Sequence, residues 1–311
     1  MKQRTIKNSV STVGIGVHTA NKVQLTFRPA PANTGIVFVR TDLRGLPTIQ
    51  ASASNVSNTT LSTSLSSSTP SSEDSSLEKK VTVSCVEHLM AALWAMGIDN
   101  LFIDVDSEEI PIMDGSSAPF IYLVKKAGVE ELSVDKKFIR ILSEIEVKDG
   151  DAIARLKPFD GFKASYTFVY DHHVYNRYPK HACLDFSQTS FVDEVSRART
   201  FGLARDLDQA QAMNKCLGSN LENAIGIDDY SILNQDGLRY EDEFVKHKLL
   251  DAIGDLYLCG HTILGEFEGY KSGHTSNNFL ARALLAQPEA WTLVTPETKS
   301  SSEPFLQPIA A

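Results

Sequence analysis

The sequence predicts an α+β protein made of two domains of similar plan. Long strand-like runs precede the helical ones in each half, which fits that class better than one doubly wound sheet. The same order restarts after a break near 131–137 (ELSVDKK). No glycine pattern of a Rossmann or phosphate-loop turn occurs. At 311 residues and 42% hydrophobic, the chain can bury one large core or two ordinary ones.

Residues 20–28 and 34–40 alternate as strands do, separated by the Pro-rich turn RPAPAN. The tract 51–78 is dominated by Ser and Thr. Up to Leu65 it can form an edge strand, and Ser66 to Ser76 reads as a loop. A helix over 86–97 ends at Gly97, residues 101–105 form a strand, Asp114-Gly115 is a turn, and a helix from about Pro119 to Lys126 closes at Gly128. In the second half, 138–147, 151–157 and 163–170 read as strands. Helices are predicted over 188–195, 206–215, 241–259 and 277–286, the last stopped by Pro288, with a loosely held tail after Pro296.

A net charge of −9 without a long basic tract argues against nucleic acid as a partner. No signal peptide or membrane span is read at the amino terminus, so no transmembrane anchor is expected. Cys85, Cys183, Cys216 and Cys259 form no CxxC pair, which suits a reducing cytoplasm. No coiled-coil heptad appears, and the expected state is a monomer.

The most informative segment is Phe244–Leu256. His247, Asp251 and Asp255 recur every four residues on one face, while Leu249, Leu250, Ile253 and Leu256 fill most of the remaining circumference. An imidazole and a carboxylate one turn apart can chelate zinc, and Glu87-His88 can add a ligand and a base, which points to a hydrolase. A histidine hydrogen-bonded to a buried carboxylate explains His247/Asp251 equally well. Gly254 either leaves room for a ligand or permits tight helix packing. Glu87 lies three residues after Ser84, and a capping box is its better reading. His274 alone is a loop histidine, His172-His173 and His181 a polar turn, and Ser196–Gly202 a weak anion-site signal.

Six stretches, in order, resemble the UDP-3-O-acyl-N-acetylglucosamine deacetylases, the zinc amidases of lipid A synthesis. They are Gly14–Thr19, Val86–Leu89, Ile110–Ser116, Ser196–Gly202, Phe244–Leu256 and Lys271–His274, and the likeness extends to about residue 292. The resemblance implies His88, His247 and Asp251 as Zn2+ ligands with an open position for water. It implies Glu87 as general base, the Thr200 hydroxyl as an oxyanion donor, and His274 as an imidazolium that becomes general acid. Asp255 would keep His274 charged, Lys248 would bind substrate and support the charged centre, and Asp114 would orient a ligand imidazole from behind.

The fold implied is two ββααβ-type units packed as a sandwich, 1–134 and 135–311, with an insert in each. The second insert, a βαβ unit near 201–230, would form a passage for the acyl chain lined by Phe201, Leu207, Cys216 and Leu221. Tyr170 would stack on uracil, and Lys248 and Lys271 would face the diphosphate. The sequence departs from the family pattern in its longer Ser-rich segment, in Gly226 where a larger branched residue is expected, and in serine where relatives can carry cysteine within Leu61–Leu65. A silent nucleotide-sugar binder or a zinc-stabilised structural protein are the competing readings, and a closed four-ligand shell would favour the latter.

Overall fold

The computed structural model describes residues 1–70 and 78–295. It is α+β, and its α-helices among those residues are α1 (Glu87–Met96), α2 (Ala118–Ala127), α3 (Phe191–Glu194), α4 (Ala204–Ala212), α5 (Glu243–Tyr257) and α6 (His274–Ala286). The first half forms a five-stranded sheet in the order Val10–Ile15, Lys22–Pro29, Leu101–Val105, Ile36–Arg40, Thr48–Gln50. The second forms a seven-stranded sheet around the long strand Thr262–Tyr270.

The plan repeats. In each half a buried helix leads into a strand that runs parallel to one neighbour and antiparallel to another: α1 into Leu101–Val105, and α5 into Thr262–Tyr270. Each of those strands is followed by a further helix, α2 or α6. Alternation along Lys22–Pro29 buries Val23, Leu25 and Phe27. Helix α1 packs on α5, and apolar residues from both halves join one continuous core. Gly97 ends α1 in the left-handed region (φ 65°), donating its N–H to the Leu93 and Trp94 carbonyls.

Each half carries an insert. The first is a three-stranded antiparallel sheet of Val56–Asn58, Ser64–Pro70 and Glu78–Val83. In the second, Phe201–Leu203 and Ile225–Ile227 pair in parallel, with α4 between them in the chain. No helix among the described residues is long and apolar enough to cross a membrane.

Several expected boundaries move. Ser66–Pro70 is strand rather than loop, because it pairs along its length with Glu78–Val83, in register with Leu65, which is buried opposite Val83; residues 71–76 lie outside the described residues, as does the tail after Pro296. The break near 131–137 is mostly strand, since Val129–Asp135 pairs with Lys2–Ile6. The run 138–147 divides into Phe138–Ile141 and Ile145–Asp149 where Leu142 and Ser143 turn their N–H groups to the Ala290 carbonyl. Helix 188–195 shrinks to one turn because Asp185 holds the Ser187 backbone and hydroxyl and the Gln188 side chain in a preceding turn. Helix α4 stops short of residue 215 at Asn214, which is left-handed (φ 55°).

Candidate metal centre and active site

Two helices build the centre of the site. Glu87 and His88 occupy the first turn of α1, and His247, Asp251 and Asp255 lie on successive turns of α5. Gly254 fixes how closely those helices approach. A Cβ there would stand 2.0 Å from the Glu87 carbonyl oxygen, so tight packing, not space for a ligand, explains this glycine.

This packing brings His88, His247 and Asp251 together. Their donor atoms lie within 4.8 Å of one another, and all three residues are buried. Asp251 Oδ1 stands 3.5 Å from His88 Nε2 and 3.4 Å from His247 Nε2, yet has no hydrogen-bond partner. His247 Nδ1 donates to the Ala198 carbonyl at 3.0 Å, so in the neutral ring Nε2 is a bare lone pair facing a bare carboxylate oxygen. Two acceptors facing each other in a buried site are stabilised by a cation between them. Donors about 2.0–2.1 Å from a tetrahedral zinc ion lie about 3.3–3.4 Å apart, which matches the spacing here. The residues therefore fit a metal, and among the described residues the group holds three protein donors.

The electrostatics agree. Burial drives His247 down to about 3, keeping it neutral despite Asp251. Burial also works against a charged His88, but Asp251 and Glu87 overcome it and raise that group, so the carboxylates draw positive charge into the site. Asp251 is held well below the ordinary carboxylate range: burial opposes its charge, and the surrounding positive charge, with Lys248 and His274 among its sources, outweighs it.

The second part of the site is a carboxylate and an imidazole linked through Thr63 and Asp255. Glu87 Oε2 accepts the Thr63 N–H at 2.9 Å, while the Thr63 hydroxyl donates to Asp255 Oδ1 at 2.6 Å. Asp255 Oδ2 accepts His274 Nδ1 at 3.0 Å and the Asn277 amide at 2.9 Å. Burial raises Glu87. For His274 burial opposes the cation, but the Asp255 charge and hydrogen bond, with Glu87 and Asp251, lift it to about 9. His274 is thus an imidazolium at neutral pH with Nδ1 engaged. It opens α6 instead of sitting in a surface loop. The Ser84–Glu87 capping box does not form: the N-cap is Val86, and Ser84 meets the Ser64 hydroxyl.

The remaining candidates are distributed around this centre. Lys248 Nζ lies 3.4 Å from Asp251 Oδ2 and 5.5 Å from the centre of the Phe201 ring, which is 5.9 Å from that of His247. Thr200 joins two segments, its N–H bonded to the Gly115 carbonyl and its carbonyl to the Ile225 N–H. Leu207 is half-buried on α4 and Leu221 is exposed. Cys216 meets the His18 ring through its N–H. Gly226 leaves space that Leu221 occupies, because a Cβ would stand 2.7 Å from Leu221 Cδ2. Tyr170 is exposed and stacks beside Phe168, and Lys271 is exposed and paired with Asp151.

Two expectations change. Asp114 binds no imidazole: its carboxylate accepts from Ser116 and from Arg239 Nη1 at 2.8 Å. The Ala198 carbonyl takes the orienting role for His247. Within Ser196–Gly202, the segment with the weak anion-site signal, Arg199 is buried and paired with the Glu243 carboxylate at 2.8 Å. Sequence reasoning missed Thr63 and Asn277. Only Asn277 left a signal, three residues after His274 on one helical face.

Fold and site together define an α+β protein with a buried donor group fit for a metal, beside a carboxylate on α1 and an imidazole on α6. The profile of the UDP-3-O-acyl N-acetylglycosamine deacetylase (LpxC) family matches residues 3–286, and the chain belongs to that family. It is 52% identical over 305 residues to the UDP-3-O-acyl-N-acetylglucosamine deacetylase of Chromohalobacter salexigens, covering 98% of this chain and 97% of that one. It is 50% identical over 313 residues to the protein of the same name from Thioalkalivibrio sulfidiphilus, covering 100% and 99%. Against that from Pseudomonas entomophila it is 50% identical over 312 residues, again covering 100% and 99%.

Proposed function

We propose that this chain is a zinc-dependent amidase that hydrolyses the N-acetyl amide of UDP-3-O-acyl-N-acetylglucosamine. The products are UDP-3-O-acyl-glucosamine and acetate, within cytoplasmic lipid A biosynthesis. The observation that carries the reading is the unpartnered Asp251 Oδ1 facing two imidazole Nε2 atoms. His88, His247 and Asp251 would hold the ion. When bound, it supplies Lewis-acid polarisation of the amide carbonyl and lowers the pKa of water.

Glu87 takes the proton of the attacking water. Its raised pKa brings it closer to working pH, and the Thr63 N–H on Oε2 fixes its orientation. His274, held charged by Asp255, presents its Nε2–H to the oxyanion and then protonates the leaving amine. The Thr200 hydroxyl is a second oxyanion donor. Lys248 adds positive charge beside the reacting carbonyl. Asp114 acts at one remove: it holds Arg239, which also donates to the Arg197 carbonyl beside Ala198.

Remote contacts position the amide. Phe201, Leu207, Cys216 and Leu221 take the acyl chain in the 201–230 insert, Tyr170 takes the uracil, and Lys248 with Lys271 the diphosphate. The working unit is a monomer dividing at 134/135, with four free thiols suited to a reducing compartment. The test is acetate release from the acylated UDP-sugar after chelation, with and without added zinc. Activity that survives complete metal removal would overturn the reading.

A further inference from the structure

A second cluster of metal-ligating side chains lies outside the site described above. His18, Cys85 and Glu109 are all buried, and their donor atoms lie within 4.8 Å of one another. We propose that these three residues form a second divalent-metal site, one that binds through a thiolate and suits an ion of the zinc type.

The carboxylate is anchored as a ligand would be. Glu109 Oε1 accepts the Thr19 N–H at 2.8 Å and the Thr19 hydroxyl at 2.5 Å. Oε2 accepts the His18 N–H at 3.0 Å and faces the Cys85 sulfur at 3.8 Å. Gly16 makes room for this arrangement, since a Cβ there would stand 1.9 Å from Glu109 Oε1. Cys85 is delivered by a left-handed backbone (φ 61°), unusual for a side chain with a Cβ and held here by its surroundings.

The imidazole has partners in either tautomer. With Nε2 protonated, it meets the Ser62 hydroxyl at 3.2 Å while Nδ1 accepts the Cys216 N–H at 3.3 Å. With Nε2 given to an ion, Nδ1 takes the proton, the Cys216 N–H must turn away from it, and the Cys216 sulfur at 3.9 Å becomes its acceptor. A metal takes the Cys85 sulfur as thiolate, so binding there releases the thiol proton. Nitrogen, sulfur and a single carboxylate suit zinc and exclude the all-oxygen preference of magnesium and calcium. A cleft of about 370 Å³, lined by His18, Glu109, Ser84, Asn214 and Lys215, gives the route in.

An ion here would tie the turn before Glu87 to the loop at 216–218, where Leu217 and Gly218 already donate to the His18 and Val17 carbonyls. The test uses cobalt(II) as the probe on chelator-treated full-length protein. The expected result is two bound equivalents, one of them giving the near-ultraviolet thiolate-to-cobalt charge-transfer band. The pair of imidazoles and carboxylate on α1 and α5 contains no thiolate, so the band reads the second site alone. Cys85→Ser should lose the band and one equivalent while keeping acetate release. His247→Ala should lose the other equivalent and keep the band. A wild-type protein that binds cobalt without the band, or a band that survives Cys85→Ser, would overturn the proposal whatever the deacetylase activity. Should Cys85→Ser fold poorly, the wild-type band and stoichiometry decide alone.

Discussion

Replacing Asp255 with Asn removes the charge that keeps His274 an imidazolium, while an amide retains the shape of the carboxylate. Burial alone would discharge His274, and the Asp255 charge with its 3.0 Å hydrogen bond is the largest effect opposing it. Lifting the group from an ordinary 6.5 to about 9 corresponds to roughly 3 kcal/mol favouring the cation, at 1.36 kcal/mol per pH unit. The sign follows from linkage: stability gained from this cation is fully present below about 6.5 and is lost as pH rises through about 9. The alkaline limb of kcat/KM in the native protein should therefore fall near pH 9, and in Asp255→Asn it should move to about 6.5 or below. At pH 8 the imidazolium fraction drops from about nine-tenths to a few hundredths, a loss of roughly thirtyfold. Acetate release measured from about pH 6 to 10, with metal content determined alongside, checks this. A variant that retains its metal and its alkaline limb near pH 9 would remove Asp255 as the counter-ion, or His274 as the acid.

Glu87→Gln should keep bound metal and lower kcat by about 10²–10⁴-fold, and a loss under about tenfold on saturating substrate would count against Glu87 as the base. His247→Ala should release metal, as measured by elemental analysis after dialysis; full zinc occupancy would rule out its ligand role. Gly254→Ala should destabilise the protein by about 1–3 kcal/mol in chemical denaturation, because the new methyl meets the α1 backbone. An unchanged midpoint would mean that the two helices slide apart without cost.

The elements most legible in the sequence were those whose periodicity is enforced on two sides. Helix α5 is nearly all buried, so its polar stripe at 247, 251 and 255 stands out against leucine and isoleucine. The Ser-rich tract reads as loop on composition, but Ser66–Pro70 is held by backbone pairing to Glu78–Val83, which composition does not encode. Thr63 was beyond reach for another reason. Its role lies in joining Glu87 to Asp255, 192 residues further along from the threonine, and no local pattern encodes that separation. The Ala198 carbonyl that orients His247 carries no residue identity at all.

The Glu87 and Gly254 readings were decided by the same contact. Each residue alone has an adequate local explanation, a helix cap for Glu87 and either room for a ligand or tight helix packing for Gly254. Once the Gly254 backbone lies against the Glu87 carbonyl, α1 and α5 are fixed at a separation that sets His88 within 3.5 Å of Asp251. Glu87, Asp251 and Asp255 then share one buried interior, with His88, His274 and Lys248 as the counter-charges beside them. Burying that many acids without further positive charge is costly. The close approach that a glycine permits therefore makes sense as the means of assembling a cation site, since the same packing energy spent on an apolar helix pair would need none of these residues.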